Sequence, residues 1–286
     1  MNPFEKIKLK VKKNLHDKLP RKWKKIGDII VADFSQISKE DLHHISQIYA
    51  NILKVKTVLQ KNRVNGELRE PENTEILFGK DTETEIVEYG LRYKMDLSKT
   101  MWSPGNTGWR AVLDGPKKVS SFYTFDNPKI IIDYFAGIGY FTIQLAKSYP
   151  RANIISIEKN PISIEYLRKN LEINNINNVE VINDDCRNVE RYGDVIHLGY
   201  IGNTLDHLEH AYNCLNDEGV AVFHEAYKNN WLGFKRRSDW GVVPSKFKSL
   251  MKKNGFTVIK FERVKFYGPS KSHVIALIKK NKISVF

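Results

Sequence analysis

From Ile130 onward, short apolar runs alternate with segments whose apolar residues recur every three or four positions. The runs KIIIDYF, NIISIEK, VEVINDD, DVIHLGY, GVAVFHEAY, TVIKFERVKFYG and HVIALIKK predict strands. The intervening GYFTIQLAKSY, PISIEYLRKNLEI, DHLEHAYNCL and PSKFKSLMKKNG predict helices. Parallel strands need a crossover element between them, so this order implies a largely parallel sheet with helices on both faces. The last two strand runs follow each other across a short turn and predict a terminal antiparallel hairpin. Upstream, DIIVADF reads as a strand, and SKEDLHHISQIYANIL as a helix capped by Ser38 with Leu42, Ile45, Ile48, Tyr49 and Ile52 on one face. TEIVEYGLRYKMDL reads as a hairpin turning at Tyr89 and Gly90. Residues 101–129 are rich in Gly, Pro and Ser and read as connector. The expected architecture is α/β: a small α+β N-terminal domain over residues 1–98 that binds the substrate, then a Rossmann-like, mostly parallel domain over 99–286.

Charge narrows the partner class. Lys and Arg total 46 against 33 Asp and Glu, a formal net charge of +13, which suits RNA, DNA or an anionic membrane surface, or is a solvated basic exterior. A basic run, Arg21, Lys22, Lys24 and Lys25, surrounds Trp23, whose ring either stacks on a base or covers an apolar edge. A second mixture of cations and aromatics, Trp231, Lys235, Arg236, Arg237 and Trp240, suits a splayed-out base or is a solvated insertion with packed tryptophans. Cys186 and Cys214 are too few for a disulfide scaffold or a thiolate zinc cage, and adjacent His43 and His44 cannot both face one metal, so no metal is expected. The first residues lack the apolar core of a secretory signal, and no run approaches the length needed to span a bilayer, which predicts a cytoplasmic protein without membrane contact.

The candidate chemistry lies at strand ends. DYFAGIGYFT, residues 133–142, carries Gly137 and Gly139 in the first strand-to-helix turn, where backbone amides approach a ligand most closely. Glu158 ends the next strand, about where an acidic group accepts both ribose hydroxyls; it also reads as a surface carboxylate beside a helix. The third strand ends in Asp184, Asp185 and Cys186, where a carboxylate can accept the exocyclic amine of adenine. Thr142 stands where a pyrophosphate binder has its third glycine, and there is no Walker lysine, so a nucleoside without pyrophosphate is expected, best met by S-adenosylmethionine.

At this point residues 130–286 resemble the class I methyltransferase fold. VKTVLQKNRVNGELREPENTEILFG, MWSPGNTGWR, DYFAGIGYFTIQLA, IEKNP, LGYIGNTLDHLEHA and FYGPSKSHVIAL together resemble the archaeal wybutosine-pathway tRNA 3-amino-3-carboxypropyltransferases from about Pro20 to about Lys279. The resemblance implies transfer of the aminocarboxypropyl group of S-adenosylmethionine to carbon 7 of 4-demethylwyosine at position 37 of tRNA-Phe, with release of 5′-methylthioadenosine. It implies a tRNA partner with its anticodon-loop purine as acceptor; a monomer is expected, although nothing in the sequence fixes the oligomeric state. Ser103 and Arg110 match positions near the amino-acid end of the cofactor, although Arg110 equally suits a phosphate or a surface carboxylate. Asp133, Gly137, Gly139, Glu158, Asp185 and Cys186 complete the expected cofactor set. Related tRNA guanine methyltransferases carry an arginine where this chain has Gly105 and an Asn-x-Pro where it has LGYIG; both departures favour the aminocarboxypropyl reading over methyl transfer. His224 and Glu225 stand where relatives carry His-x-His and are the candidates for a base that takes the ring proton. A non-catalytic RNA-binding protein on a degenerate nucleoside fold is the reading from another class.

Overall fold

A computed structural model describes residues 1–62, 64–102, 122–234, 242–266 and 270–281. Ser103 and Arg110, and Lys235, Arg236, Arg237 and Trp240 of the second basic-aromatic segment, lie outside the described residues. The chain divides into two compact units, Met1–Asn106 and Thr107–Phe286. Among the described residues, no helix is long and apolar enough to cross a membrane.

In the first unit, helix α1 (Pro3–Lys8) precedes strands β1 (Trp23–Ile26) and β2 (Ile29–Ala32). Helix α2 (Lys39–Leu53) begins where Ser38 accepts a hydrogen bond from the Asp41 amide, and it buries Ile45, Ile48 and Tyr49 with Leu42 and Ile52 at the margin. The face read from the periodicity is the face that packs. Strand β3 (Thr57–Gln60), the short ladder of β4 (Val64–Asn65) with β5 (Glu70–Pro71), and β6 (Ile76–Phe78) follow. The four-stranded sheet has the order β1-β2-β3-β6. Strands β7 (Glu83–Glu88) and β8 (Leu91–Asp96) form the expected hairpin, pairing Glu88 with Leu91. Tyr89 (φ 51°) and Gly90 (φ 74°) are both left-handed, as a two-residue turn matched to strand twist requires.

The second unit runs β9 (Ile130–Asp133), α3 (Thr142–Ser148), β10 (Asn153–Glu158), α4 (Pro161–Ile173), β11 (Val179–Asn183) and β12 (Gly193–Leu198). It continues through α5 (Leu208–Cys214), β13 (Leu215–Lys228), α6 (Asn229–Leu232), α7 (Ser245–Lys253), β14 (Phe256–Phe266) and β15 (Lys271–Lys280). The sheet order is β11-β10-β9-β12-β13-β15-β14. Strands β9 to β13 pair in parallel, and β15 is antiparallel to both β13 and β14, the terminal hairpin. Consecutive strand residues go to opposite faces: Ile131, Ile154, Val195, Val222 and Ile275 to one core with α3, and Ile132, Ile155, Ile196, Ala221 and Ala276 to the other with α5 and α7. Each fully buried branched side chain of this kind contributes roughly 1.5–3 kcal/mol. Two covered faces explain why the strands read as continuous apolar runs.

Candidate functional site

The strand order reverses between β9 and β12, and in an open parallel sheet the crevice at such a reversal, beyond the carboxyl ends, is where ligands bind. On the β10 and β11 side the crevice is edged by carboxylates. The Glu158 carboxylate accepts from the Gly137 amide and the Asn160 amide, both at 2.8 Å, so it fastens the glycine turn to the start of α4. Asn160 in turn accepts from the Ile162 and Ser163 amides, and with Pro161 it sets the predicted first residue of α4. Burial, opposed by the two amides, raises the Glu158 pKa above the usual carboxylate range.

Gly137 (φ 55°) and Gly139 (φ 99°) are left-handed. A Cβ on Gly137 would stand 2.4 Å from the Tyr140 ring, and one on Gly139 would stand 2.7 Å from Ile143 and 3.0 Å from Leu167. The chain's own side chains take the space a Cβ would fill, so both glycines serve the tight turn that leads into α3.

Asp185 ends the next edge. Its oxygens accept from the Arg187 amide (3.0 Å), Arg187 Nε (2.9 Å), Arg187 Nη2 (2.6 Å) and Lys159 Nζ (3.4 Å). The Arg187 side-chain bonds hold its carboxyl well below the usual range. The bond to Lys159 is the longest of the four. Beside it Cys186 is buried, its Sγ 3.2 Å from His207 Nδ1, and burial pushes the thiol up to about 12. Phe135 packs edge-on to His207 and stacks on Tyr200, both at 4.9 Å, giving an apolar wall. Potential ligand atoms of Asp185, Cys186 and His207 lie within 4.8 Å of one another, a trio that local spacing does not reveal because His207 is distant in sequence. A protonated thiol and a carboxylate spent on Arg187 make it a hydrogen-bonded cluster here.

The other half of the crevice floor is closed. Asp133, only 1% exposed, accepts from Thr142 Oγ1 at 2.8 Å and contacts His197 Nδ1 at 3.0 Å. His197 Nε2 lies 3.5 Å from the Tyr123 hydroxyl, which lies 3.1 Å from His224 Nε2; His224 Nδ1 lies 2.9 Å from His273 Nε2. The chain crosses β9, β12, β13 and β15. Burial lowers the pKa of His224 well below its ordinary value and that of His273 to about 3, with neighbouring histidines and Lys265 adding to the respective shifts, so both rings are neutral. One hydrogen per link then fixes the tautomers. His273 donates to His224, His224 to the Tyr123 oxygen, Tyr123 to His197, and His197 to the Asp133 carboxylate. This direction leaves over only the lone pair of His273 Nδ1, a buried atom without a partner. The reverse direction would bury an unpaired N–H instead, which costs more.

Glu225 is also committed. It accepts from the Gly202 amide (2.8 Å), the Ala226 amide (2.7 Å) and the Thr204 amide (2.9 Å), and so shapes the loop after β12, where Gly202 and Asn203 are left-handed.

The chain matches the TRM5/TYW2 methyltransferase domain over residues 84–258, more than half its length, and the TYW2 N-terminal domain over residues 5–82. It belongs to the TRM5/TYW2 family. It is 34% identical over 259 residues, 89% of this chain and 96% of the relative, to the tRNA(Phe) (4-demethylwyosine(37)-C(7)) aminocarboxypropyltransferase of Methanocaldococcus jannaschii. The crystal structure of P. horikoshii TYW2 in complex with MeSAdo is similar with a TM-score of 0.76, 27% identity and 98% of each chain covered. That of M. jannaschii TYW2 in complex with AdoMet is similar with a TM-score of 0.65 and 31% identity, covering 92% of this chain and all of that one.

In this TRM5/TYW2 chain the sequence reading assembled the carboxylate edge and missed the histidine floor. Tyr123, His197, His207 and His273 were not singled out. The available signal was a polar ring inside an apolar strand run, His197 in DVIHLGY and His273 before VIALI. A buried strand tolerates a histidine only with partners.

Proposed function

We propose that the chain transfers the 3-amino-3-carboxypropyl group of S-adenosylmethionine to carbon 7 of 4-demethylwyosine at position 37 of tRNA(Phe), releasing 5′-methylthioadenosine. The observation that carries this reading is identity along nearly the whole length of a relative named for that reaction. The donor set at the strand ends fits the nucleoside half of the cofactor: Glu158 takes the ribose hydroxyls, Asp185 takes the adenine amine in exchange for Lys159, and Phe135 and Cys186 border the base. When bound, the cofactor supplies a sulfonium whose three attached carbons are all electrophilic. Which group moves is then a matter of orientation. Ser103 and Arg110 are the residues assigned to turning the methionine arm, a hydroxyl and a guanidinium suited to its amino and carboxylate groups.

Alkylation at carbon 7 releases one proton. His224 and Glu225, the candidates for its acceptor, have their polar atoms engaged by Tyr123 and His273, and by three amides. In this reading both are positioning residues, and water in the crevice takes the proton. Action on tRNA fits the cytoplasmic location expected from the sequence. Mass analysis of nucleosides from precursor tRNA(Phe) incubated with protein and S-adenosylmethionine tests the proposal. The expected product carries the aminocarboxypropyl mass; a single added methyl, or no change while the cofactor binds, contradicts it.

A further inference from the structure

The first unit holds a cavity of about 310 Å³ that the chemistry above does not use. It opens beside the edge strand β1, with Ile26 and Val31 among its apolar lining and Leu97, Thr100, Met101 and Trp102 contributing a second wall. Three lysines, Lys22, Lys24 and Lys61, line it against one carboxylate, Asp33. Lys22 and Lys24 are exposed and have no ion-pair partner among the described residues. Asp33 is already spoken for: it accepts from the Ser35 amide and from Gln60 Nε2, bonds that hold its carboxyl below the usual range. The lining therefore keeps an excess of uncompensated positive charge.

Trp23 supplies the aromatic surface. Its ring is half-buried, held edge-on against Tyr49 with centroids 6.0 Å apart, and the Tyr49 hydroxyl is fixed by donating to the Pro20 carbonyl at 2.7 Å. A ring locked in this way needs no further ordering to receive a stacked base. The volume lies at the lower end of the range for small-ligand pockets, about 300–1,000 Å³, and suits a single nucleotide.

We infer that this cavity receives one unpaired RNA nucleotide, its base against Trp23 and the apolar lining and its phosphates on Lys22, Lys24 and Lys61. Cations around a fixed aromatic, in a chain of net charge +13, describe single-stranded nucleic-acid recognition better than capture of an acidic peptide. The inference rests on the tRNA reading for the source of that nucleotide. It assigns the first unit a contact of its own.

The test compares tRNA(Phe) binding by the full chain with two double charge reversals. Lys22→Glu with Lys24→Glu alters the cavity; Lys10→Glu with Lys13→Glu alters exposed lysines of the same unit that do not line it. The cavity pair is expected to lower affinity at least ~10-fold and to flatten the dependence of log affinity on log salt by about 1–2, as two lost phosphate contacts require. The control pair is expected to lower it less than ~3-fold, and affinity for methylthioadenosine stays unchanged in both. Adenosine 5′-monophosphate is the second probe: it should shift the indole N–H resonance that disappears in Trp23→Phe. Equal losses from the two pairs, an indole resonance that does not move, or the same shift produced by a glutamate-rich peptide overturns the inference. A wild-type chain that binds the mononucleotide at Trp23 but does not modify tRNA overturns the proposed activity and leaves the cavity standing.

Discussion

The two halves of the crevice floor solve opposite problems. Toward β10 and β11, Glu158 and Asp185 are carboxylates held by backbone amides and Arg187 and partly open to solvent, which on the proposed function lets them exchange a partner for a ligand. Toward β12, β13 and β15, polar rings are sealed under the surface and bonded to one another, with Asp133 as the terminal acceptor. The difference teaches which polar groups serve the ligand and which serve the fold. A buried polar network is tolerable only when nearly every atom is paired, whereas a site that exchanges partners keeps a weak bond in reserve. Substitutions on the closed side should therefore register first in stability, and those on the open side in cofactor affinity.

The largest effect is expected from Asp133→Ala, which leaves the His197 ring N–H without an acceptor and the Thr142 hydroxyl with Ser156 Oγ, 3.0 Å away, in place of the carboxylate, at a site closed to water. A loss of about 3–5 kcal/mol in urea unfolding is expected, from two hydrogen bonds to a charged group at about 1.5–3 kcal/mol each. A loss below about 1 kcal/mol would dissolve the distinction between the halves.

The second effect is a dependence on pH. Folded His224 and His273 have depressed pKa values, so below the unfolded value near 6.5 the unfolded chain binds protons that the native chain does not. The stabilisation is present above that pH and is lost as pH falls, by about 1.4 kcal/mol per pH unit for each histidine. Glu158 acts oppositely: its folded pKa is raised, so between that value and its unfolded value near 4.5 the native state gains stability as pH falls. Unfolding measured from pH 7 to pH 5.5 should show the histidine slope, and His273→Gln should roughly halve it. A flat profile would mean that the rings are charged or open.

Glu225→Gln should weaken the loop from Gly202 to Thr204 and cost roughly 1.5–3 kcal/mol, the range for hydrogen bonds to a charged group. A positioning role predicts a lower turnover with the shape of the pH-rate profile retained; loss of its acidic limb would restore Glu225 as the base. Smallest is Glu158→Gln. Methylthioadenosine should bind about 10-fold more weakly by calorimetry, about 1.4 kcal/mol, while unfolding free energy changes by less. Unchanged affinity would move the ribose elsewhere.

Much of this architecture was legible because local signals agreed. Asn160 and Pro161 fix the start of α4, the two-residue turn fixes the β7–β8 hairpin, and the apolar runs fix a sheet covered on both faces. The edge carboxylates were legible too, since each follows directly from the end of a predicted strand. The histidine floor was not, because its links join residues 49 to 101 positions apart and depend on register between four strands. Periodicity tells which face a residue takes and says nothing of the ring opposite. Glu225 follows the same rule: an acid at a strand end is visible in sequence, and the three amides that occupy it are not.

The central claim, that the amino-acid arm of the cofactor and not its methyl group is delivered to tRNA, is tested most directly with two labelled forms of S-adenosylmethionine, one carrying the label in the methyl group and the other in the carboxylate. With tRNA(Phe) bearing 4-demethylwyosine, the account predicts carboxylate label in the RNA and methyl label retained in free methylthioadenosine. Methyl label in the RNA, with the carboxylate label left in solution, contradicts it.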